Sequence, residues 1–129
     1  MQATVAATTD YRKTRRQFGQ PIGRFQAPQH RMADMLLHLE QKRPMSYLAA
    51  MHCQDEDRSQ RRRLLSAAKV TIGPACRYIA QNAVQLHDGM GMTDGLIVNH
   101  GLKRLTLVEM SFGDTDMHRQ RFARTGVRT

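Results

Sequence analysis

Apolar residues along most of the chain recur every three or four positions, which is the period of one face of an α-helix. The segment that begins at Gln26 carries one such stripe, made of Met32, Met35, Leu36, Leu39, Leu48 and Met51. Pro44 lies within this segment, and because proline lacks the backbone N–H it predicts a kink in the helix or its division into two pieces.

A second helix is predicted after the acidic cluster Asp55-Glu56-Asp57, which is typical of a turn. Asp57 or Ser59 suits the N-cap, since a side-chain oxygen there accepts from the free backbone N–H groups of the first turn. The stripe of this helix consists of Leu64, Leu65, Ala68, Ile72, Ala75, Ile79, Ala83 and Leu86.

Three further segments complete the pattern. Residues 1–14 are compatible with a helix that turns Val5, Ala6 and Tyr11 inward. Residues 97–110 predict another helix, and its inward residues are Leu102, Leu105 and Val108. A short basic helix follows Gly113-Asp114 and extends to Arg124.

The order of these segments predicts an all-α fold, an up-and-down four-helix bundle with a short C-terminal helix. The connections are short, and no stretch alternates apolar and polar residues as a strand would. With 129 residues the chain suits one domain, residues 1–129.

The formal net charge of +9, from 20 basic and 11 acidic residues, indicates an anionic partner or a solubility role. The basic residues are clustered, in residues 12–16 and again in residues 58–63. Few aromatics interleave with these clusters, so nucleic acid is not the predicted partner, and solvated helix faces account for most of the arginines.

The sequence predicts no membrane segment and no metal site. It has no run of 18 apolar residues and no signal peptide, and we therefore expect a cytoplasmic protein. Cys53 and Cys76 lack metal-binding spacing and are interpreted as small buried hydrophobic residues.

The first candidate site is the connection RRQFGQPIGRFQ, Arg15 to Gln26. Its glycines permit positive φ or close backbone approach, which a plain connection does not need. Arg15 and Gln17 stand beside Phe18, an arrangement that suits a planar ligand with phosphate groups. The alternative is a rigid loop in which Phe18 and Phe25 pin the chain to the core.

The second candidate site is QLHDGMGMTDG, Gln85 to Gly95. Its three glycines leave backbone amides open to a phosphate. No strand precedes it and no P-loop lysine is present, so it is neither a Rossmann fingerprint nor a P-loop. A glycine helix cap followed by a turn is the alternative.

Taken together, the two segments resemble a known family. YRKTRRQFGQPIGRFQAPQHRMADM is similar to the start of the C-terminal helical domain of acyl-CoA dehydrogenases, and QLHDGMGMTDG resembles that family's QLHGGxG segment. The resemblance covers essentially the whole chain and implies FAD as cofactor, bound mainly to a neighbouring subunit. The cofactor-binding residues that it implies are Arg15, Gln17, Phe18, Gln26, Gln85, Leu86, His87, Asp88, Gly89 and Thr115.

The resemblance also implies an activity, which is dehydrogenation of an acyl-CoA thioester between Cα and Cβ. A carboxylate removes the α-proton and the flavin accepts a hydride. Family members carry an additional helical domain and a β domain, so we expect this chain to be the C-terminal part of such an enzyme and to be inactive alone. The implied partners are further copies, as dimer or tetramer, or a homologous subunit.

Two positions depart from the family pattern. Asp88 stands where a pair of glycines usually begins, and its carboxylate either weakens FAD binding or turns aside to bond its own backbone. Gly113 stands in place of the glutamate that serves as base in many members. Asp114 is then the candidate catalytic residue, and Glu109, about one helical turn earlier, is a weaker one.

These departures leave a second function open. The form Phe112-Gly113-Asp114 also resembles the smaller or partner subunits of heteromeric dehydrogenases that act on dicarboxyl- or steroid-derived CoA esters. A non-catalytic helical subunit used for assembly, without base or flavin, is the alternative.

Overall fold

The computed structural model describes residues 1–87 and 97–126 of the chain. In these ranges it contains the helices α1 (Gln2–Thr14), α2 (Gln26–His52), α3 (Arg58–Leu86), α4 (Ile97–Met110) and α5 (Thr115–Gly126). Between α1 and α2 lie two short antiparallel strands, β1 (Arg16–Gln17) and β2 (Gln20–Pro21), and a 3₁₀ turn over Ile22–Arg24. Helix α3 packs against the other four helices. The predicted all-α bundle with a short C-terminal helix is confirmed.

The core lies around α3. Its largest fully buried apolar side chains are those of Met35, Ile79 and Val98. Alanines of α3, including Ala75, Ala80 and Ala83, are also buried. Because these side chains are small, the neighbouring helices approach α3 closely.

One of the two cysteine predictions is confirmed and the other is wrong. Cys76 is buried, and this burial raises the pKa of its thiol. Cys53 is exposed because it caps the C-terminal end of α2, beyond the packed part of the bundle.

Helix α2 is not divided at Pro44, although the sequence allows it. The helix continues from Gln26 to His52 with Pro44 inside it. Both Pro44 and Glu40 are exposed, so water can hydrogen-bond the Glu40 carbonyl that Pro44 has no N–H to serve. The apolar stripe of α2 is only partly buried: Met35 and Leu39 belong to the core, but Leu36 and Met51 are exposed.

The start of α3 follows its sequence signal. Asp57 is the N-cap, and its carboxylate accepts from the backbone N–H groups of Ser59 (2.8 Å) and Gln60 (3.2 Å). Of the two predicted caps, Asp57 is therefore the one that is used.

In α1 and α4, polar residues occupy inward positions for which the sequence pattern predicts apolar ones. Val5 is buried as predicted, but Ala6 is exposed, and Thr4, Thr8 and Arg12 point inward instead. Thr8 tolerates burial because its hydroxyl donates to the Thr4 carbonyl at 2.8 Å.

Helix α4 has the predicted bounds, but one of its predicted inward residues is wrong. Leu105 is buried and Leu102 partly so, but Val108 is exposed. The inward position is taken by Glu109, whose buried carboxylate accepts a hydrogen bond from Arg77 of α3 at 2.7 Å. A charge paired in this way can be buried, and a hydrophobic pattern does not predict it.

Candidate functional site

The β1–β2 hairpin presents an aromatic side chain to solvent. Its two-residue loop is Phe18-Gly19, and both residues have positive φ, 52° and 77°. Positive φ at both central residues is typical of the tight hairpin turn whose twist matches that of the strands. It is rare for a bulky residue such as phenylalanine. Phe18 is 86% exposed, so the interpretation of Phe18 as an anchor in the core is wrong.

The loop around this hairpin is fastened to both neighbouring helices. Arg12 of α1 is buried and donates from Nη2 to the Ile22 carbonyl at 2.6 Å. From α2, the Gln29 amide donates to the Gly23 carbonyl at 2.9 Å. A Cβ on Gly23 would lie 3.2 Å from the Arg12 carbonyl oxygen, so glycine permits the close approach of the loop to α1. The exposed Phe18 therefore stands on a fixed support.

The two candidate sites of the sequence meet at one cavity. It has a volume of about 250 Å³ and lies between the Arg15–Gln26 loop, the first turns of α2 and the end of α3. Gln17 and Phe25 line it from the loop, and Gln85 and Leu86 line it from α3. Arg31 joins the two sides, because its guanidinium donates to the Gln85 side-chain oxygen. Gln26 is exposed at the start of α2.

A stack of three side chains links Arg15 with the end of α3. The His87 ring lies against the Tyr11 ring, with centroids 4.0 Å apart. The Arg15 guanidinium lies 5.7 Å from the centroid of the same Tyr11 ring, within cation–π range. His87 is buried and Arg15 half-buried. Tyr11 thereby holds two of the predicted site residues beside each other.

Of the second segment, Gln85, Leu86 and His87 fall within the described part of the chain. Asp88 and Gly89, with the remainder of the glycine-rich segment, lie outside the described residues.

The remaining predicted residues lie at the turn between α4 and α5, which is tightly organised. Asp114 is exposed and caps α5, with its Oδ1 accepting from the Met117 backbone N–H at 2.8 Å. Thr115 is buried, and its hydroxyl donates to Glu109 Oε1 at 3.3 Å. Glu109 thus contacts α3 and α5 at once, and its hydrogen bond and charge raise the pKa of Arg77.

Two more side chains hold this turn from α3 and α5. Lys69 donates from Nζ to the carbonyls of Val108 and Ser111 at the end of α4. His118 lies between the Phe112 carbonyl and the Ser66 hydroxyl, each at 3.1 Å. A carbonyl only accepts, so Nε2 donates to Phe112 and Nδ1 accepts from Ser66. Burial lowers the pKa of His118, which favours the neutral ring.

The cavity that joins the Arg15–Gln26 loop to Gln85 and Leu86 is called the two-loop cavity below. The α4–α5 turn lies far from it within one chain. Thr115 contacts α3 near Gly73, where a Cβ would lie 2.5 Å from the Thr115 hydroxyl. The cavity lies at Gln85 and Leu86, twelve to thirteen residues further along α3, which corresponds to roughly 20 Å of helix. The structure therefore brings Gln17, Gln85 and Leu86 together at the cavity. It places Arg15 and His87 at the Tyr11 ring, leaves Phe18 and Gln26 exposed outside the cavity lining, and leaves Asp114 and Thr115 in a second group.

Sequence reasoning missed the residues that connect these groups. Arg31 gave no signal, because its partner Gln85 lies 54 positions later in the chain. Tyr11 was identified only as an inward residue, and its role in stacking depends on His87 at the far end of α3. Within the described ranges, no group of three or more His, Cys, Asp or Glu residues could hold a metal ion. Nor is any helix in these ranges both long and apolar enough to cross a bilayer.

Known proteins are similar to this chain in sequence and in fold. The profile of the acyl-CoA dehydrogenase C-terminal domain matches residues 1–127. A probable acyl-CoA dehydrogenase of Bacillus subtilis, YngJ, is 32% identical over 123 residues, which are 95% of this chain and 32% of that protein.

Two solved structures superpose closely. The FAD complex of PigA has a TM-score of 0.80 and 30% identity, and the match covers 98% of this chain and 33% of that one. The ChsE4–ChsE5 complex of Mycobacterium tuberculosis has a TM-score of 0.86 and 25% identity, with 98% and 34% covered. The chain spans about a third of the length of the relatives that it matches. It belongs to the family of acyl-CoA dehydrogenase C-terminal domains.

Proposed function

We propose that this chain acts as the C-terminal domain of a flavin-dependent acyl-CoA dehydrogenase, in which it supplies cofactor contacts and a subunit interface. The observation that carries the proposal is the shared cavity, because it joins Gln17 of the first segment to Gln85 and Leu86 of the second. The two segments lie far apart in the sequence, so their meeting at one cavity supports a shared site.

The predicted residues of the two segments, of which Gln17, Gln85 and Leu86 line the cavity, fit a flavin nucleotide by their chemistry. The exposed ring of Phe18 offers a surface for a planar group, and the Arg15 guanidinium offers forked donors to a diphosphate. The amides of Gln17, Gln26 and Gln85 can both donate and accept, as recognition of adenine and ribose requires. The FAD complex of the similar protein PigA supports this assignment. When bound, FAD supplies the acceptor for the hydride that leaves the substrate.

The role of this chain's own residues in the reaction follows from the α4–α5 turn. Asp114 is the exposed carboxylate of that turn, and we assign it as the base that removes the α-proton of the acyl-CoA thioester. Glu109 is the less suitable base, because its carboxylate is buried and bound to both Arg77 and Thr115. The separation of about 20 Å along α3 supports a site completed by a second subunit.

Association with another subunit is the second part of the proposal. Helix α2 exposes Leu36, Leu37, Tyr47 and Met51, and apolar side chains exposed along one helix are typical of an interaction surface. The two-chain complex ChsE4–ChsE5 is similar in fold and supports association with a homologous partner as well as with a copy of this chain.

Cofactor binding is tested by titrating FAD fluorescence with the chain. Arg15→Gln and Phe18→Ala are expected to weaken FAD binding on the order of tenfold each, as loss of a charge-assisted contact or a stacked aromatic does. Arg16→Gln is the matched control, because neighbouring residues of a strand point to opposite faces and Arg16 therefore faces away from Gln17. Equal FAD affinity in the unmodified chain and in all three variants would mean that the FAD site does not include this loop.

The proposed role of Asp114 as the base is tested in the full-length gene product. The assay measures acyl-CoA-dependent reduction of a redox dye. Asp114→Asn is expected to lower the rate by a factor of about 100 or more while FAD remains bound, which is the scale of general-base catalysis. Full activity of this variant would exclude Asp114 as the base. Absence of flavin and of activity in the unmodified protein would instead favour a non-catalytic assembly subunit.

A further inference from the structure

A group of arginines lies on facing sides of α3 and α5. Arg58 and Arg62 are four residues apart at the start of α3, and Arg121 and Arg124 are three apart on α5. Residues at these spacings share one face of a helix. Each helix therefore presents a pair of guanidinium groups in one direction.

The packing of α5 on α3 turns the two pairs toward one groove. The His118–Ser66 hydrogen bond and the Arg63 guanidinium, 5.3 Å from the centroid of the Phe122 ring, fix this packing. The groove has a volume of about 480 Å³, and its lining includes Arg58, Ser59, Arg62, Gln120, Arg121 and Arg124. None of the described residues that line it is acidic.

Among the described residues, these four arginines lack the acidic partner that some other arginines of the chain have. Elsewhere Arg43 pairs with Glu40, Arg77 with Glu109 and Arg119 with Asp116. Among the described residues, no carboxylate lies within ion-pair distance of the four groove arginines. Four like charges around one groove repel one another. An anion in the groove would relieve that repulsion.

We propose that this groove binds an organic ligand that carries two or more phosphate groups. Guanidinium groups match phosphate oxygens with paired N–H donors, and the Ser59 hydroxyl and Gln120 amide add neutral hydrogen-bonding groups. The volume falls within the range of small-molecule sites, which suits a nucleotide-sized ligand. This site is separate from the two-loop cavity, since none of its lining residues belongs to that cavity.

The test is isothermal titration calorimetry of the chain with inorganic pyrophosphate at low ionic strength. We expect saturable binding that weakens about tenfold or more in Arg62→Gln/Arg121→Gln, because each substitution removes a charge-assisted contact. Arg58→Gln/Arg124→Gln is the second, independent pair and is expected to behave in the same way. All four side chains are exposed, so the substitutions spare the core, and circular dichroism confirms the fold of each variant.

Two controls separate the groove from positive charge in general. Arg119→Gln removes an arginine of the same helix that already pairs with Asp116, and Arg104→Gln removes an exposed arginine of α4 that lines neither the groove nor the two-loop cavity. Both are expected to retain pyrophosphate affinity. The proposal is overturned if pyrophosphate does not bind, if the groove variants bind it as tightly as the unmodified chain, or if the controls lose as much affinity. Binding of a single-stranded oligonucleotide without binding of pyrophosphate would also overturn it, in favour of a nucleic-acid surface.

Discussion

At the scale of single residues, two Phe-Gly pairs repeat one conformation at the two candidate regions. Phe18-Gly19 and Phe112-Gly113 have positive φ at both positions, and the two phenylalanines are 86% and 96% exposed. A bulky residue in this conformation is strained, and an exposed aromatic ring loses the stabilisation of burial. Strain of this kind is concentrated at functional sites, which agrees with the assignment of both turns.

Alanine substitutions at the two glycines separate backbone strain from crowding. Gly19→Ala is expected to lower the free energy of unfolding by about 1 kcal/mol, because only its positive φ resists a side chain and the space around it is open. At Gly113 a Cβ would overlap the end of the flexible Met117 side chain, which can move aside, so Gly113→Ala is expected to lower it by a similar amount through its own positive φ. Urea unfolding measures both. A clearly larger loss in Gly113→Ala would mean that the Met117 side chain is held in place.

His118 makes stability depend on pH. Burial lowers its pKa in the folded chain, and the charges of Arg121 and Lys69 act in the same direction. The unfolded chain therefore binds a proton more readily than the folded chain does below about pH 6.5. This contribution to stability is complete above that pH and is lost as the pH falls toward the lower folded pKa.

Comparison with His118→Gln isolates the effect of this one histidine. Urea unfolding at about pH 7 and about pH 5.5 is expected to show a smaller loss of stability on acidification in the variant than in the unmodified chain. An identical loss in both proteins would assign the pH dependence to other groups.

At the scale of elements, the close contact of α1 and α4 depends on one glycine. A Cβ on Gly101 would lie 2.5 Å from Thr4 Oγ1 and 3.3 Å from Thr4 Cγ2. Thr4 is buried and β-branched, so its side chain has little freedom to move aside. The contact fixes the position of α1, which carries Tyr11 and Arg12 at its other end.

Gly101→Ala is expected to lower the free energy of unfolding by about 1 to 3 kcal/mol, the usual range for overpacking. In Gly101→Ala/Thr4→Ala the loss should be smaller than the sum of the two single losses, because the clashing atoms are gone and alanine favours the helix. Additive losses in this double-mutant cycle would contradict the contact.

The sequence predicted elements better than it predicted their inward faces. Regular apolar spacing and the Asp57 cap gave the helices, with α4 at its observed bounds. The burial of Glu109 and Arg12 was not predicted, because it depends on hydrogen-bond partners that are distant in sequence or belong to another element. The hairpin was missed because strands of two residues show no alternation. The two loops were recognised as sites, but Arg31, which joins them, was not.

At the scale of the whole molecule, the candidate site is divided. The two-loop cavity and the α4–α5 turn lie roughly 20 Å apart along α3, so one chain does not bring Asp114 beside the cavity. The proposed assembly with a second subunit would join two such halves, and the exposed apolar side chains of α2 are the surface that we propose for it.

Self-association through α2 is therefore expected. Leu37→Glu places a charge on that surface and should shift the monomer–oligomer equilibrium toward monomer by about tenfold or more in concentration. Phe112→Ser removes an exposed aromatic residue outside α2 and serves as the control. Sedimentation velocity over a concentration series makes the comparison, and an unchanged equilibrium in Leu37→Glu would move the interface elsewhere.

The central claim is that two distant segments form one flavin-nucleotide site, and an NMR titration of the ¹⁵N-labelled chain with FAD tests it most directly. Backbone amides of residues 15–26 and of Gln85, Leu86 and His87 are expected to shift together and to saturate at the same FAD concentration. In Arg15→Gln, the shifts of both sets of amides should saturate at a higher FAD concentration. Shifts confined to one segment, or to the groove between α3 and α5, would contradict the claim.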